Sequence, residues 1–132
     1  MTPLFRKLNL GSHKDIILLQ EPTSLAVELE ALEGVRIHRN LKGIKAIDFC
    51  LSFVLTIDEI NAVASAVLPL AGEDAILWFA YPKGTSKKYR CDFNRDKGWD
   101  ALREAGFDTV RQVAIDEDWS ALRFRRVEQI GK

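Results

Sequence analysis

The chain has 132 residues and a mass of 14.9 kDa, and its 19 lysines and arginines balance 19 aspartates and glutamates, so the formal net charge is zero. That balance excludes a general nucleic-acid binder, which needs surplus cationic surface to release counterions from phosphates, and a polybasic membrane-surface protein. With 47% hydrophobic and 29% charged residues the composition is that of a globular protein, and the length suits one domain over residues 1–132.

Residues 1–20 carry no basic-then-apolar leader with a small-residue cleavage site, and no apolar run nears the roughly 20 residues that cross a bilayer. A cytoplasmic protein with no membrane partner is expected. Cys50 and Cys91 are far apart, without Cys-x-x-Cys spacing or paired histidines nearby, so neither a metal site nor a disulfide is expected. Cys50, inside an apolar run, reads as a buried small hydrophobe.

In chain order, residues 15–20 (Asp-Ile-Ile-Leu-Leu-Gln) form a short apolar run between Gly11-Ser12 and Glu21-Pro22, as expected of a strand buried on both faces. Thr23 and Ser24 then offer N-cap chemistry to a helix carrying Leu25, Leu29 and Leu32, which Gly34 closes. Residues 35–38 alternate apolar and polar side chains and predict an edge strand. Residues 40–45 read as a loop. The stretch 44–55 tolerates burial on both parities and is placed mid-sheet.

Thr56-Ile57-Asp58-Glu59 is a capping box, in which the Thr56 hydroxyl accepts from the Glu59 amide and the Glu59 carboxylate reaches back to the Thr56 amide. The helix it starts carries Ile60, Val63, Ala64 and Val67 on one face, and Pro69 with Gly72 ends it. Residues 75–81 form another apolar strand, stopped by Pro82-Lys83-Gly84. A polar loop over 85–94 leads to a helix through Trp99, Leu102 and Ala105, capped by Asn94 or Asp96 and closed by Gly106. Two extended runs, 107–115 and 119–127, joined by Asp116-Glu117-Asp118, are too close for a parallel crossover and predict a hairpin. Alternating strands and helices with a terminal hairpin define an α/β fold: a three-layer Rossmann-like sandwich, mostly parallel, with an antiparallel C-terminal hairpin.

From Ile47 onward the pattern resembles the C-terminal half of the Rossmann-like S-adenosylmethionine-dependent methyltransferases. The resemblance rests on Asp48 at the start of a central strand, the turn Leu70-Ala71-Gly72-Glu73-Asp74, the strand ending at Pro82, the helix ending Ala105-Gly106-Phe107, and the hairpin. Tyr81-Pro82-Lys83-Gly84, Asp96-Lys97-Gly98-Trp99 and the string 118–125 (Asp-Trp-Ser-Ala-Leu-Arg-Phe-Arg) also resemble a bacterial domain family of unassigned function. That resemblance implies a methyltransferase-like shape and no assigned activity. The chain departs from the methyltransferases at the turn after the first strand, which reads Gln20-Glu21-Pro22-Thr23-Ser24 with no glycine, and after the second, where His38-Arg39-Asn40 replaces the acid that holds ribose hydroxyls. No cofactor is therefore expected.

In an open parallel sheet, ligands gather outside the carboxyl ends of the strands. Thr23 and Ser24 could line such a cleft or simply cap their helix. Lys83, Gly84, Lys87, Lys88 and Arg90 lie in the densest cationic stretch, whose readings are an anion site or a solvated loop. Arg123 and Arg125 share a strand face with Trp119 and Ala121, and pair with Asp116–Asp118 or hold a carboxylate ligand. Trp78, Trp99 and Trp119 are core candidates. His13 and His38 have no metal-ligand spacing, Ser120 has no nucleophile elbow, and Asp48 stands alone, so no catalytic residue is assigned.

The zero net charge is a sum of blocks: residues 34–45 carry four bases and no acid, and 83–97 six bases against two acids. A local anion site at strand ends is thus compatible with the balanced total. The leading expectation is a small non-catalytic binding or regulatory module, leaning away from an enzyme. Its partner is a small anionic ligand or a protein, and its state a monomer or homodimer. The alternative is a reduced transferase-type enzyme with its cleft at the strand C-terminal ends.

Overall fold

The computed structural model describes residues 2–131. It opens with a short helix, α1 (Pro3–Lys7), whose first free amides are met by the Thr2 hydroxyl, an acceptor for Phe5 N–H at 3.1 Å. The sequence pattern does not reveal this element. Strand β1 (Asp15–Leu19) follows, then a 3₁₀ turn Thr23–Leu25 running into helix α2 (Ala26–Glu30), edge strand β2 (Arg36–His38) and strand β3 (Ile47–Phe53). Helix α3 (Ile57–Val67), strand β4 (Ala71–Pro82), helix α4 (Asp100–Glu104) and the hairpin β5 (Phe107–Ala114) and β6 (Trp119–Arg126) complete the order.

The strands form one sheet in the order β2-β1-β3-β4-β6-β5, the first four parallel and the last two pairings antiparallel. Side chains alternate between its faces. On β4, Ile76, Trp78 and Ala80 join Leu4, Phe5, Leu8 and Leu25 in one core, whereas Leu77, Phe79 and Tyr81 join Ile60, Val63, Val67 and Leu102 in the other. Helices therefore cover both faces, α1 and α2 on one and α3 and α4 on the other. The expected three-layer sandwich is present, with β3 in its interior as predicted.

Local chemistry explains where elements start. The Thr56–Glu59 capping box forms in both directions, the Thr56 hydroxyl accepting from Glu59 N–H at 3.0 Å and the Glu59 carboxylate from Thr56 N–H at 3.2 Å. That helix buries Ile60, Val63, Ala64 and Val67, and each large apolar side chain so buried contributes roughly 1.5–3 kcal/mol. Trp78, fully buried on β4, donates from Nε1 to the Leu8 carbonyl at 2.8 Å and so holds the chain after α1 against the sheet.

Several boundaries differ from the sequence reading. Neither Thr23 nor Ser24 caps a helix: Pro22 occupies the N-cap of the 3₁₀ turn and no side chain bonds there. The helix ends at Glu30, so Gly34 does not close it. Gly72 belongs to β4, which begins at Ala71. Trp99, not Asn94 or Asp96, is the N-cap of α4, because the Asn94 carboxamide oxygen is already engaged in a turn by the amides of Asp96 and Lys97 at 2.8 and 2.9 Å.

Candidate functional site

The segment between β4 and α4 folds back over the carboxyl end of the sheet. Lys83 N–H donates to the Asp118 carbonyl at 2.8 Å, and the buried Ser86 hydroxyl donates to the Asp118 carboxylate at 2.8 Å while accepting from Tyr89 N–H at 3.1 Å. At the other end, the Asp92 carboxylate accepts from Ile57 N–H at 2.8 Å, tying the loop to the start of α3. Gly98, at φ +104°, lies so close to Phe93 that a Cβ there would come within 2.8 Å of that side chain. These ties hold the loop off the sheet and leave a cleft of about 530 Å³ between them.

The cleft is lined by Tyr81, Gln112 and Ser120 from the strands, and by Lys83, Gly84, Arg90, Cys91 and Arg95 among loop residues. The Gln112 amide donates to the Tyr81 phenol at 3.0 Å and to the Ser120 hydroxyl at 3.1 Å. With both oxygens accepting from Gln112, both O–H groups are left to donate elsewhere. Burial raises the Tyr81 pKa above its ordinary value, with Arg95 opposing; the phenol is therefore protonated at neutral pH and acts as a donor rather than a base. The Cys91 thiol is turned to the Phe93 carbonyl at 3.1 Å. Cys50, by contrast, is buried away from the cleft, and burial pushes its thiol pKa up to about 12, which keeps it protonated and unreactive.

The structure divides the residues proposed from sequence. Lys83, Gly84 and Arg90 line the cleft, while the exposed Lys87 and Lys88 do not. Thr23 and Ser24 are exposed in the first turn and do not line it either. The reason is topological: β3 separates β1 from β4, so the two loops stand two strand spacings apart, roughly 10 Å. The sequence does not single out Tyr81, Cys91, Arg95, Gln112 and Ser120 as a group, because Tyr81, Gln112 and Ser120 converge through strand register and Cys91 and Arg95 through the path of the loop. Arg125 pairs with Asp74 on β4 through two bonds of 2.7 and 2.9 Å, not with Asp116–Asp118. Asp116 is occupied with the amides of Asp118 and Trp119. Trp78, Trp99 and Trp119 are core residues, at 0, 0 and 3% exposure. His38 Nε2 lies 2.9 Å from the Asp15 carboxylate, and among the described residues no group of three metal-ligating side chains occurs.

No protein-family model matches the chain, and no curated protein matches it. Solved structures do. A SAM-dependent methyltransferase from Aquifex aeolicus superposes with a TM-score of 0.61 at 12% identity, over 94% of this chain and 88% of that one. Ribosomal protein L11 methylase from Lactobacillus delbrueckii subsp. bulgaricus gives a TM-score of 0.56 at 11% identity, covering 93% of this chain and 76% of the other. Magnesium protoporphyrin IX methyltransferase from Synechocystis PCC 6803, solved with bound SAH, gives 0.54 at 16% identity, with 93% and 78% covered. The chain thus has a methyltransferase-like Rossmann fold.

These neighbours overturn the expectation of a non-catalytic binding or regulatory module, and the alternative, a reduced transferase-type enzyme, fits them better. Loss of the glycines at one turn does not entail loss of the methyltransferase-like fold. The sheet order, which depends on long-range packing, forms without those glycines.

The first turn itself does not fit an adenosyl cofactor. Gln20 adopts a left-handed backbone, φ +61°, so the sharp turn after β1 is kept, but with a side chain in place of hydrogen. Arg39, just past β2, donates to the Glu21 carboxylate at 2.6 Å, so the ends of β1 and β2 are bridged by an ion pair. An acid free to hold ribose hydroxyls after β2 is missing, as the sequence indicates. No helix of the described residues is long and apolar enough to cross a membrane.

Proposed function

We propose that this chain is a reduced transferase-type enzyme on a methyltransferase-like fold, acting in the cleft between β4, β6 and the loop 83–95. One observation carries the reading: a hydroxyl- and amide-floored cleft, with cationic side chains in its loop wall, opens at the carboxyl end of β4, where open α/β sheets take ligands. The fold neighbours support group transfer as the reaction class. The Tyr81 and Ser120 hydroxyls, fixed by Gln112, would orient an acceptor-rich substrate, and Lys83, Arg90 and Arg95 would favour a small anion. Holding a substrate in one orientation is the contribution these residues can make to transfer.

The same proposal takes residues 1–132 as one α/β domain, a cytoplasmic protein of a bacterial family of unassigned function, monomeric or homodimeric. The resemblance of the Asp118–Arg125 string speaks for that family. The test is activity-based metabolite profiling, in which the purified chain is incubated with a small-metabolite extract and followed by mass spectrometry. One anionic metabolite is expected to be consumed with appearance of a product heavier by one transferred group, together with a second metabolite of the extract, the donor, lighter by that same group. An extract unchanged by the protein would refute the enzymatic reading.

A further inference from the structure

A second feature lies on the opposite face of the hairpin from the cleft. Arg111 on β5 and Arg123 on β6 are directly opposed in the antiparallel register, and Arg125 follows Arg123 on the same face. Like charges opposed across a strand pair are destabilising, and side chains there start only about 5 Å apart. The carboxylates of Asp74 on β4 and Asp108 on β5 are otherwise engaged. Asp74 is held by Arg125 through both oxygens, and Asp108 is turned to Arg103 of α4 at 3.5 Å and accepts from Thr109 N–H. Among the described residues neither Arg111 nor Arg123 has an ion-pair or side-chain hydrogen-bond partner, and Arg123 Nε is buried with no acceptor at all.

Burial and then Arg125 lower the Arg123 pKa from its ordinary value; Asp74 opposes this and Arg111 adds to it. A buried guanidinium nitrogen without an acceptor costs desolvation energy that no contact returns. Two unpaired guanidiniums projecting from neighbouring strands call for two negative charges. A carboxylate supplies one, whereas a phosphate-type oxyanion supplies close to two, with several acceptor oxygens for the fork of N–H donors.

We infer that Arg111 and Arg123 form a binding site for a phosphate-type oxyanion on the α1 side of the hairpin, separate from the cleft. The site does not rest on the transferase reading. It is tested by isothermal titration of inorganic pyrophosphate into the full chain, with thermal unfolding in phosphate and in chloride at equal ionic strength. The wild-type chain should bind pyrophosphate and unfold at higher temperature in phosphate. Loss of one charge-assisted contact should weaken binding about tenfold or more in Arg123→Gln and in Arg111→Gln. Lys42→Gln, at an exposed cation outside both the cleft and the hairpin, should bind as tightly as wild type. Because Arg111 is exposed, its variant retains the fold and keeps the test valid if Arg123→Gln unfolds. No wild-type binding, binding as tight as wild type in both the Arg111 and the Arg123 variant, or an equal loss in Lys42→Gln would overturn the site.

Discussion

Gln20 is where a single residue departs most from what its backbone prefers. Its left-handed conformation, φ +61°, is one that residues with a Cβ adopt at a cost, and it stands at the end of β1 in the turn that methyltransferases build from glycine. Gln20→Gly should therefore raise the unfolding free energy by roughly 0.5–1 kcal/mol, the relief of strain exceeding the entropy glycine loses on folding. Urea denaturation measures this, and a less stable variant would mean that the glutamine side chain is itself a stabilising contact. Asp74 gives a pH-dependent prediction. The bonds from Arg125 hold its carboxyl below the ordinary 3.8. A depressed folded-state pKa adds stability that is fully present above the unfolded value and is lost as pH falls through the folded one. The stability gap between wild type and Asp74→Asn should thus be present at neutral pH and close in strong acid. A gap that persists at low pH would show that the pair is not its source. With Asp74 half exposed, screening keeps the gap small.

At the scale of elements, the capping box is the most directly testable device. Thr56→Ala removes the acceptor for Glu59 N–H and should cost about 1 kcal/mol of stability by denaturant unfolding. A change within experimental error would show that the buried face of α3, rather than its cap, sets the boundary. This box was legible because its partners are three residues apart, as were strands β1, β3 and β4, whose apolar runs are local signals. Helix α2 was legible only in outline. Pro22 takes the N-cap without a side-chain bond, leaving Thr23 and Ser24 idle, and nothing in the run of leucines announces the stop at Glu30. The loop 83–95 reads as a polar stretch because its anchors, Asp118 for Ser86 and Ile57 for Asp92, lie 32 and 35 residues away. The cleft floor was hidden for the same reason: Gln112 meets Tyr81 across 31 residues of sequence, through a register that only the hairpin sets.

At the scale of the whole molecule, the balanced charge resolves into spatially separate features. The Glu21–Arg39 pair bridges β1 and β2, cationic loop residues border the cleft at β4, and unpaired arginines lie across the hairpin. Because β3 lies between β1 and β4, the first turn and the cleft are separate places, and they can be altered one at a time. The most direct measurement is metabolite profiling repeated with two double variants, Tyr81→Phe/Ser120→Ala in the cleft and Thr23→Ala/Ser24→Ala in the first turn. The predicted result is a product formed by wild type and by the first-turn variant, and strongly reduced in the cleft variant while its fold is retained. A product lost in the first-turn variant and undiminished in the cleft variant would contradict the assignment.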